Sequence, residues 1–236
     1  MARPTAVPAG ARAEAPSPSA PFLYRTLLAP VRGALARFFD LTVEGLEHVP
    51  VCGPYIVAAN HHNYLDGVVL AAVVPTPIAF LVMPRVYRAT PLHPLFHRHI
   101  GSIPITLERP DMGAFRRALA ALGEGRVVGI FPEGPFSVRG QLEPGLPGVG
   151  LLALRSGVTV VPAGIRGTYE ALQGRRFYIP RRARIAVRFG PPRRFATDGV
   201  NGHRGVSSHS SDGEIGRAAR ARVTDRIMDD IAALLR

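Results

Sequence analysis

His61 and Asp66, with four residues between them, are residue types that general acid–base catalysis uses. On one regular helix this spacing does not put the two side chains on the same face. Across a turn that joins a strand to a helix, however, the carboxylate can fold back towards the imidazole. That contact fixes the imidazole tautomer and stabilises its cation, so the pair can take a proton from an alcohol oxygen. The spacing alone is common, and other segments must decide whether it is catalytic.

The residues on either side of His61 predict such a turn. Residues 55–59 form a continuous apolar run, as expected for a strand covered on both faces, and a helical pattern follows over 66–74. Ligand sites in open α/β sheets gather at the carboxyl ends of strands, which is where His61 falls. Asn60 either ends the strand or uses its amide to position the turn. His62 is expected to pack or cap beside His61.

The rest of the chain alternates short apolar runs with helical patterns. Further strands are predicted at 78–82, 126–131, 158–163 and 184–189, and helices at 111–122, 149–155 and 214–235. The last of these strands alternates charged and apolar residues, which favours an exposed edge strand. The repeated order of strand and helix predicts the α/β class, with a mostly parallel central sheet flanked by helices.

Residues 67–84 carry no charge over about 18 positions, which is the lower limit for crossing a bilayer. Pro75, Thr76 and Pro77 lie in the middle of this segment and would break a membrane-spanning helix. The segment therefore predicts a helix, a turn and a strand of a buried α/β unit, with no transmembrane helix.

The composition also predicts the boundaries of the domain. Residues 1–21 are rich in Ala, Pro and Ser and lack the apolar core of a secretory signal, which predicts a disordered tail. Residues 22–40 predict an amphipathic helical segment that associates with a membrane, or equally a helix packed on its own domain. Pro30 and Gly33 favour two short helical pieces there. The main α/β domain is expected at 41–195, a flexible linker at 196–213 and a C-terminal helix at 214–236.

The chain of 236 residues has a formal net charge of +12 and a pI of about 11.2, which favours anionic partners. An anionic membrane surface is preferred to nucleic acid, because no nucleic-acid-binding motif is present. Cys52 is the only cysteine, which indicates a reducing compartment, and the expected location is peripheral, at the cytoplasmic face of a membrane. His93, His97 and His99 lack a nearby carboxylate or cysteine and predict a solvated basic loop rather than a metal site.

Three further segments have the types and order of a known set of motifs. They are Gly101-Ser-Ile-Pro-Ile followed by Arg109, Phe131-Pro-Glu-Gly after a predicted strand, and Val161-Pro at the end of the next one. Together with the His-x4-Asp stretch they resemble the glycerolipid acyltransferase family, which includes the 1-acylglycerol-3-phosphate acyltransferases. The likeness runs from about Val43 to Thr168, with all four blocks in the family's order.

The resemblance implies roles for these residues. His61 would deprotonate an acceptor hydroxyl, Asp66 would hold His61, and the hydroxyl oxygen would attack an acyl thioester of coenzyme A or acyl carrier protein without an acyl-enzyme. The acyl thioester is a co-substrate, and neither a cofactor nor a metal is implied. The implied substrate-binding residues are Gly101, Ile103, Pro104, Ile105 and Arg109 in the acceptor pocket, Glu133 and Gly134 beside it, and Pro162 on the acyl-chain side.

Two departures from the family pattern concern the acceptor. Phe136 stands where the family usually has an arginine, and Leu107 stands where the second block usually has one. A phenyl ring cannot make the charge-assisted phosphate contact of a guanidinium, although Arg109 or Arg139 could replace it. The expected reaction is acylation of a lysophospholipid such as 1-acylglycerol-3-phosphate in phospholipid biosynthesis. The alternatives are an acceptor without a phosphate monoester, or a non-enzymatic basic membrane-binding protein, against which the intact His61 and Asp66 pair argues.

Overall fold

The computed structural model describes residues 22–87, 97–98, 100–106, 111–172, 180–195 and 211–236. Within them lies one seven-stranded sheet with the strand order β1-β7-β6-β2-β5-β3-β4. The strands are β1 (Asp40–Glu44), β2 (Tyr55–Ala59), β3 (Ile78–Val82), β4 (Ile103–Pro104), β5 (Val127–Ile130), β6 (Thr159–Arg166) and β7 (Arg184–Phe189). The predicted α/β class with a mostly parallel central sheet is confirmed.

Helices cover both faces of this sheet. They are α1 (Phe22–Phe38), α2 (Tyr64–Val73), α3 (Pro84–Tyr87), α4 (Met112–Gly123), α5 (Gly148–Ser156), α6 (Thr168–Ala171) and α7 (Ser211–Leu234), with a 3-10 turn at Leu46–His48. One apolar layer holds the buried residues of α1 and α2 with Tyr55, Val57 and Ala59 of β2. The other holds those of α4, α5 and α7 with Ile56 and Ala58. Successive residues of β2 thus face opposite layers, which explains its continuous apolar sequence.

The direction of the strands decides which ends of them meet. β2 runs parallel to β5 and β6, and β5 runs parallel to β3, so their carboxyl ends share one edge of the sheet. β7 is antiparallel to β6 and parallel to β1. The amino ends of β1 and β7 therefore lie at that same edge. The prediction that 184–189 is an edge strand was wrong, because β7 pairs with a strand on each side. The alternation that suggested an edge arises because its two charged residues lie on the same, less buried face of the sheet.

The segment before β1 forms one continuous helix, so the prediction of two helical pieces was wrong. Pro30 lies inside α1. A proline in a helix interior costs about 3 kcal/mol, but Leu28 and Leu35 are buried in the first apolar layer and offset that cost. Arg32 fastens the helix further, since its Nε donates to the backbone oxygen of Ala72 on α2. Packing on its own domain, one of the two alternatives for this segment, is thus observed.

The structure also describes the uncharged segment and the C-terminal helix. The uncharged segment 67–84 contains the end of α2, a turn at Pro75–Pro77 and β3, as predicted. Among the described helices none is long and apolar enough to cross a membrane. The C-terminal helix begins at Ser211. The predicted tail at 1–21 and residues 196–210 of the predicted linker lie outside the described residues.

Candidate active site

The turn after β2 is built by the residues that follow the strand. Asn63 is the N-cap of α2, and its side-chain oxygen accepts a hydrogen bond from the backbone N–H of Leu65 at 2.9 Å. Asp66 reaches back in the opposite direction, and its Oδ2 accepts from the backbone N–H of Asn63 at 2.7 Å. This reciprocal pair is a capping box, which satisfies N–H groups that the first turn of a helix leaves free. The cap is what turns the Asp66 carboxylate towards the end of β2.

The folded-back contact predicted between the carboxylate and the imidazole is present. Nδ1 of His61 lies 3.0 Å from Oδ2 of Asp66, and the same oxygen accepts from the backbone N–H of His62 at 2.6 Å. Asp66 has no exposed surface, while the side chain of His61 is 11% exposed. Because Asp66 accepts the proton of Nδ1, Nε2 is left as the nitrogen that can take a proton from a substrate. Asp66 would stabilise the resulting imidazolium.

Aromatic rings surround the imidazole of His61. The ring of Phe131 stacks on it, with the centroids 3.8 Å apart and the planes at 7°. Phe136 meets it edge to face at 4.4 Å and 68°, and Tyr64 meets Phe136 in the same way at 4.6 Å. Phe136 is 7% exposed and is therefore part of the wall of the site rather than a flexible surface residue. The imidazole of His61 thus has apolar neighbours on two sides.

The third sequence block, Phe131-Pro-Glu-Gly, holds the backbone of His61. Oε1 of Glu133 accepts from the N–H of His61 at 2.6 Å, and Oε2 accepts from the N–H of Glu143 at 2.7 Å. The backbone oxygen of His61 accepts from the N–H of Ser137 at 2.8 Å. The N–H of Gly134 donates to the oxygen of Phe131 within the turn, and Gly134 itself has a φ of +78°, a left-handed value that favours glycine. Glu133 therefore positions the turn that carries His61, and its binding of an acceptor stays a prediction.

The pKa of Glu133 is raised to about 7, mainly by burial and to a smaller extent by the nearby Asp66 and Glu143, against the two backbone hydrogen bonds that lower it. The two backbone hydrogen bonds favour the ionised carboxylate, but burial outweighs them. Burial also lowers the pKa of His62, which lies beside His61. The neutral imidazole of His62 is thus favoured in the folded protein.

The end of β6 holds the other side of the turn. The amide of Asn60 accepts from the N–H of Ile165 at 2.7 Å and donates to its oxygen at 2.9 Å, so Asn60 does more than end its strand. Asn63 donates to the backbone oxygen of Thr168 at 2.7 Å, and Nδ1 of His62 lies 3.2 Å from Oγ1 of Thr168. Thr168 was not among the predicted site residues. Its position just after the fourth block was the one available signal.

The second block and Pro162 lie apart from His61. β4, which contains Ile103 and Pro104, is three strands away from β2, or about 14 Å at the usual strand spacing. Gly101 precedes β4, and its oxygen accepts from Nη2 of Arg126 at 3.1 Å. Ile105 follows β4, where its N–H donates to the oxygen of Val82. Binding of substrate by these residues stays a prediction.

Pro162 and Arg109 complete the predicted set. Pro162 pairs with Ala58 on the neighbouring strand β2. Its ring faces the layer of α7, since a Cβ built on Gly190 would meet Pro162 at 3.1 Å and Leu234 at 3.3 Å. It is thus on the opposite face of the sheet from Phe131. Arg109 lies outside the described residues.

The predicted solvated loop falls largely outside the described residues, because His93 and His99 are not among them. For His97 the prediction of solvation was wrong, because the residue is buried and its Nδ1 lies 3.0 Å from Oγ of Ser102. No group of three His, Cys, Asp or Glu side chains that could hold a metal ion occurs in the part of the chain that the structure describes.

The structure combines a mostly parallel sheet with a His–Asp pair at the carboxyl end of a central strand. Comparison with known protein families identifies the class to which such a protein belongs. Residues 40–166, more than half of the 236 residues, match the model of the acyltransferase family, and the chain belongs to that family. The chain is 28% identical over 134 residues to 1-acyl-sn-glycerol-3-phosphate acyltransferase LPAT1, chloroplastic, of Arabidopsis thaliana. That match covers 56% of this chain and 37% of the relative.

A second relative, 1-acyl-sn-glycerol-3-phosphate acyltransferase BAT2, chloroplastic, of Brassica napus, is 27% identical over 139 residues, which are 56% of this chain and 38% of the relative. The matched part thus spans less than two fifths of the length of either plant protein. The crystal structure of the 1-acyl-sn-glycerophosphate (LPA) acyltransferase PlsC from Thermotoga maritima is similar, with a TM-score of 0.62. It is 23% identical, over 89% of this chain and 81% of that one, which shows a common fold.

Proposed function

We propose that the protein transfers a fatty acyl group from an acyl thioester, of coenzyme A or acyl carrier protein, to the hydroxyl of a lysophospholipid such as 1-acylglycerol-3-phosphate, in phospholipid biosynthesis. The observation that carries this proposal is the His61–Asp66 contact of 3.0 Å at the carboxyl end of β2. The names of the two plant relatives, both 1-acyl-sn-glycerol-3-phosphate acyltransferases, support the choice of acceptor.

In the proposed reaction, Nε2 of His61 removes the proton of the acceptor hydroxyl while the oxygen attacks the thioester carbonyl. A C–O bond forms and the C–S bond breaks, and the proton on the imidazolium passes to the departing thiolate. Asp66 stabilises the imidazolium, because its buried carboxylate faces Nδ1. A positioned base of this kind contributes typically about 10²–10⁴-fold in rate. The attack is direct, so no acyl-enzyme forms.

A second acceptor class, a lipid hydroxyl without a phosphate monoester, is favoured by Phe136. Its ring lies against the imidazole of His61 at 4.4 Å, at the sequence position where the family usually has an arginine. A phosphate beside the reacting hydroxyl would meet an apolar ring there instead of a guanidinium. The two acceptor classes differ in charge close to the base, so substitutions near Phe136 can separate them.

We further propose that the enzyme works at the cytoplasmic face of an anionic membrane as a peripheral protein. A groove of about 470 Å³ opens at the sheet edge that also carries the catalytic turn. Its lining includes Arg37 and Arg182, and also Arg184, which pairs with Asp40 in the same groove at 3.1 Å. Phe38, which also lines the groove, is 41% exposed. Guanidinium groups next to an exposed ring suit an anionic lipid surface.

Sedimentation with vesicles of phosphatidylglycerol and of phosphatidylcholine tests the membrane proposal. The wild-type protein should sediment with the anionic vesicles, and the variant R182E should sediment less. R155E is the matched control, because Arg155 is also exposed but ends α5, at the opposite edge of the sheet. Equal binding by the two variants would refute the assignment of this surface.

Release of free thiol from an acyl-coenzyme A tests the reaction and its acceptor. The purified protein is offered lysophosphatidate, other lysophospholipids and a monoacylglycerol, and thiol release is measured with and without each. Acceptor-dependent release is expected, whereas a protein that only binds membranes shows none. F136R should raise the rate with phosphate monoesters relative to the rate with the other acceptors. V138R adds the same charge at a site that is 66% exposed and should leave the ratio unchanged.

A further inference from the structure

Thr168 closes a buried corner at the end of β6. Its side chain has no exposed surface, and its backbone oxygen accepts from Nδ2 of Asn63 at 2.7 Å. The preceding Gly167 has a φ of +86°, and a Cβ there would overlap the backbone oxygen of Arg184, so only glycine fits. The corner is therefore held by backbone geometry on one side and by the catalytic turn on the other.

The imidazole of His62 is held between Thr168 and Asn60. Nε2 of His62 lies 3.4 Å from Nδ2 of Asn60, and Nδ1 lies 3.2 Å from Oγ1 of Thr168. The Asn60 amide nitrogen is a donor, because the amide oxygen already accepts from the N–H of Ile165. Nε2 of His62 must then accept, so its proton is on Nδ1 and is donated to the hydroxyl of Thr168. The imidazole of His62 is neutral in this arrangement.

The backbone of His62 connects this corner to the base. Its N–H donates at 2.6 Å to Oδ2 of Asp66, the same oxygen that lies 3.0 Å from Nδ1 of His61. A shift of His62 would therefore move a donor that helps to place the carboxylate. We propose that Thr168 is a positioning residue for the His61–Asp66 pair and acts through the side chain of His62. This inference rests on the proposed acyl transfer, in which His61 is the base.

Three variants test the proposal by their steady-state rates. T168V removes the hydroxyl at constant shape and is expected to lower kcat by roughly 10-fold with KM within about twofold of wild type, because small misplacements of a catalytic group cost rate rather than binding. T168S keeps the hydroxyl and should restore at least half of the turnover. The matched control is T224V, since Thr224 is 2% exposed and its Oγ1 has no hydrogen-bond partner among the described residues. T224V should retain wild-type kcat.

A second measurement needs no turnover. In the free protein, the proton on Nδ1 of His61 that is donated to Asp66 is read by proton NMR in the imidazole N–H region. We expect this signal to shift or broaden in T168V and to stay unchanged in T168S and T224V, with thermal unfolding confirming that all three are folded. An unchanged signal with kcat within twofold of wild type in T168V would overturn the proposal. If the Nδ1 proton signal of His61 changes in T168V but the wild-type protein transfers no acyl group, the proposed acyl transfer is refuted and the positioning role of Thr168 is not.

Discussion

The substitution D66N tests how much the carboxylate contributes to the base. Oδ2 of Asp66 faces Nδ1 of His61 at 3.0 Å and the backbone N–H groups of His62 and Asn63 at 2.6 and 2.7 Å. An asparagine oxygen can take the same place and accept the same hydrogen bonds, so the turn should keep its shape. The variant lacks the negative charge that stabilises the imidazolium when His61 takes the proton.

The size of the effect follows from the distance. At 3.0 Å and an effective dielectric constant of about 20, the attraction between a carboxylate and an imidazolium is roughly 5.5 kcal/mol. The amide dipole recovers part of this, which leaves a loss of about 3–5 kcal/mol in the transition state. That loss corresponds to a fall of about 10²–10⁴-fold in kcat. KM should change little, because the charge matters only after proton transfer begins.

The assay is thiol release at saturating acyl-coenzyme A and acceptor, with thermal unfolding to confirm that D66N is folded. D111N is the matched control, since Asp111 is also an aspartate at a helix start, where it accepts from the N–H groups of Ala114 and Thr106 at 2.8 and 3.1 Å. D111N should cost up to about 1 kcal/mol of stability and leave kcat unchanged. The reasoning is refuted if folded D66N turns over within threefold of wild type, or if D111N loses as much activity.

Three further predictions concern the surroundings of the base. N60A should lower the free energy of unfolding in urea by about 3 kcal/mol, because it leaves the buried N–H and C=O of Ile165 without their partners; a loss below about 1 kcal/mol would contradict this. The folded-state pKa of Glu133 is about 7, above the ordinary value of 4.5. Between these two pH values the native state holds a proton that the unfolded chain has lost. The stability that this group contributes therefore falls as the pH rises from 4.5 to about 7. E133Q should therefore gain stability relative to wild type between about pH 5 and pH 8, by at most about 3 kcal/mol, and a constant difference would contradict the shift. G129A should lower the free energy of unfolding in urea by about 1–3 kcal/mol, because the alanine Cβ would lie 2.5 Å from the ring of Phe80. An unchanged free energy of unfolding would contradict this and show that the ring moves aside freely.

Local patterns in the sequence predicted most of the fold, because they reflect contacts between near neighbours. The apolar run of β2 and the turn at Pro75–Pro77 appear where predicted, and β3 has the predicted bounds. The neighbours of β7 depend on pairing with β1, more than 130 residues earlier in the chain, which no local pattern contains. β4 has only two residues and was missed for want of a pattern. The continuity of α1 through Pro30 depends on tertiary packing, which overrides local propensity.

The same division applies to the site. The contact between His61 and Asp66 spans five residues, and a turn followed by a helix cap is enough to predict it. The contacts of the turn with Glu133 and Thr168 span 72 and 106 residues and depend on which strands adjoin β2. Phe136 was recognised as a departure in type, but its position against the imidazole required the fold of the third block around His61.

Single-turnover acylation of the preferred acceptor by H61A tests the central claim most directly. Wild type and variant are compared at equal concentration with one equivalent of acyl-coenzyme A, after circular dichroism has shown that both are folded. Loss of the base should slow product formation by about 10²–10⁴-fold. Product formation at the wild-type rate by folded H61A would contradict the assignment of His61 as the base.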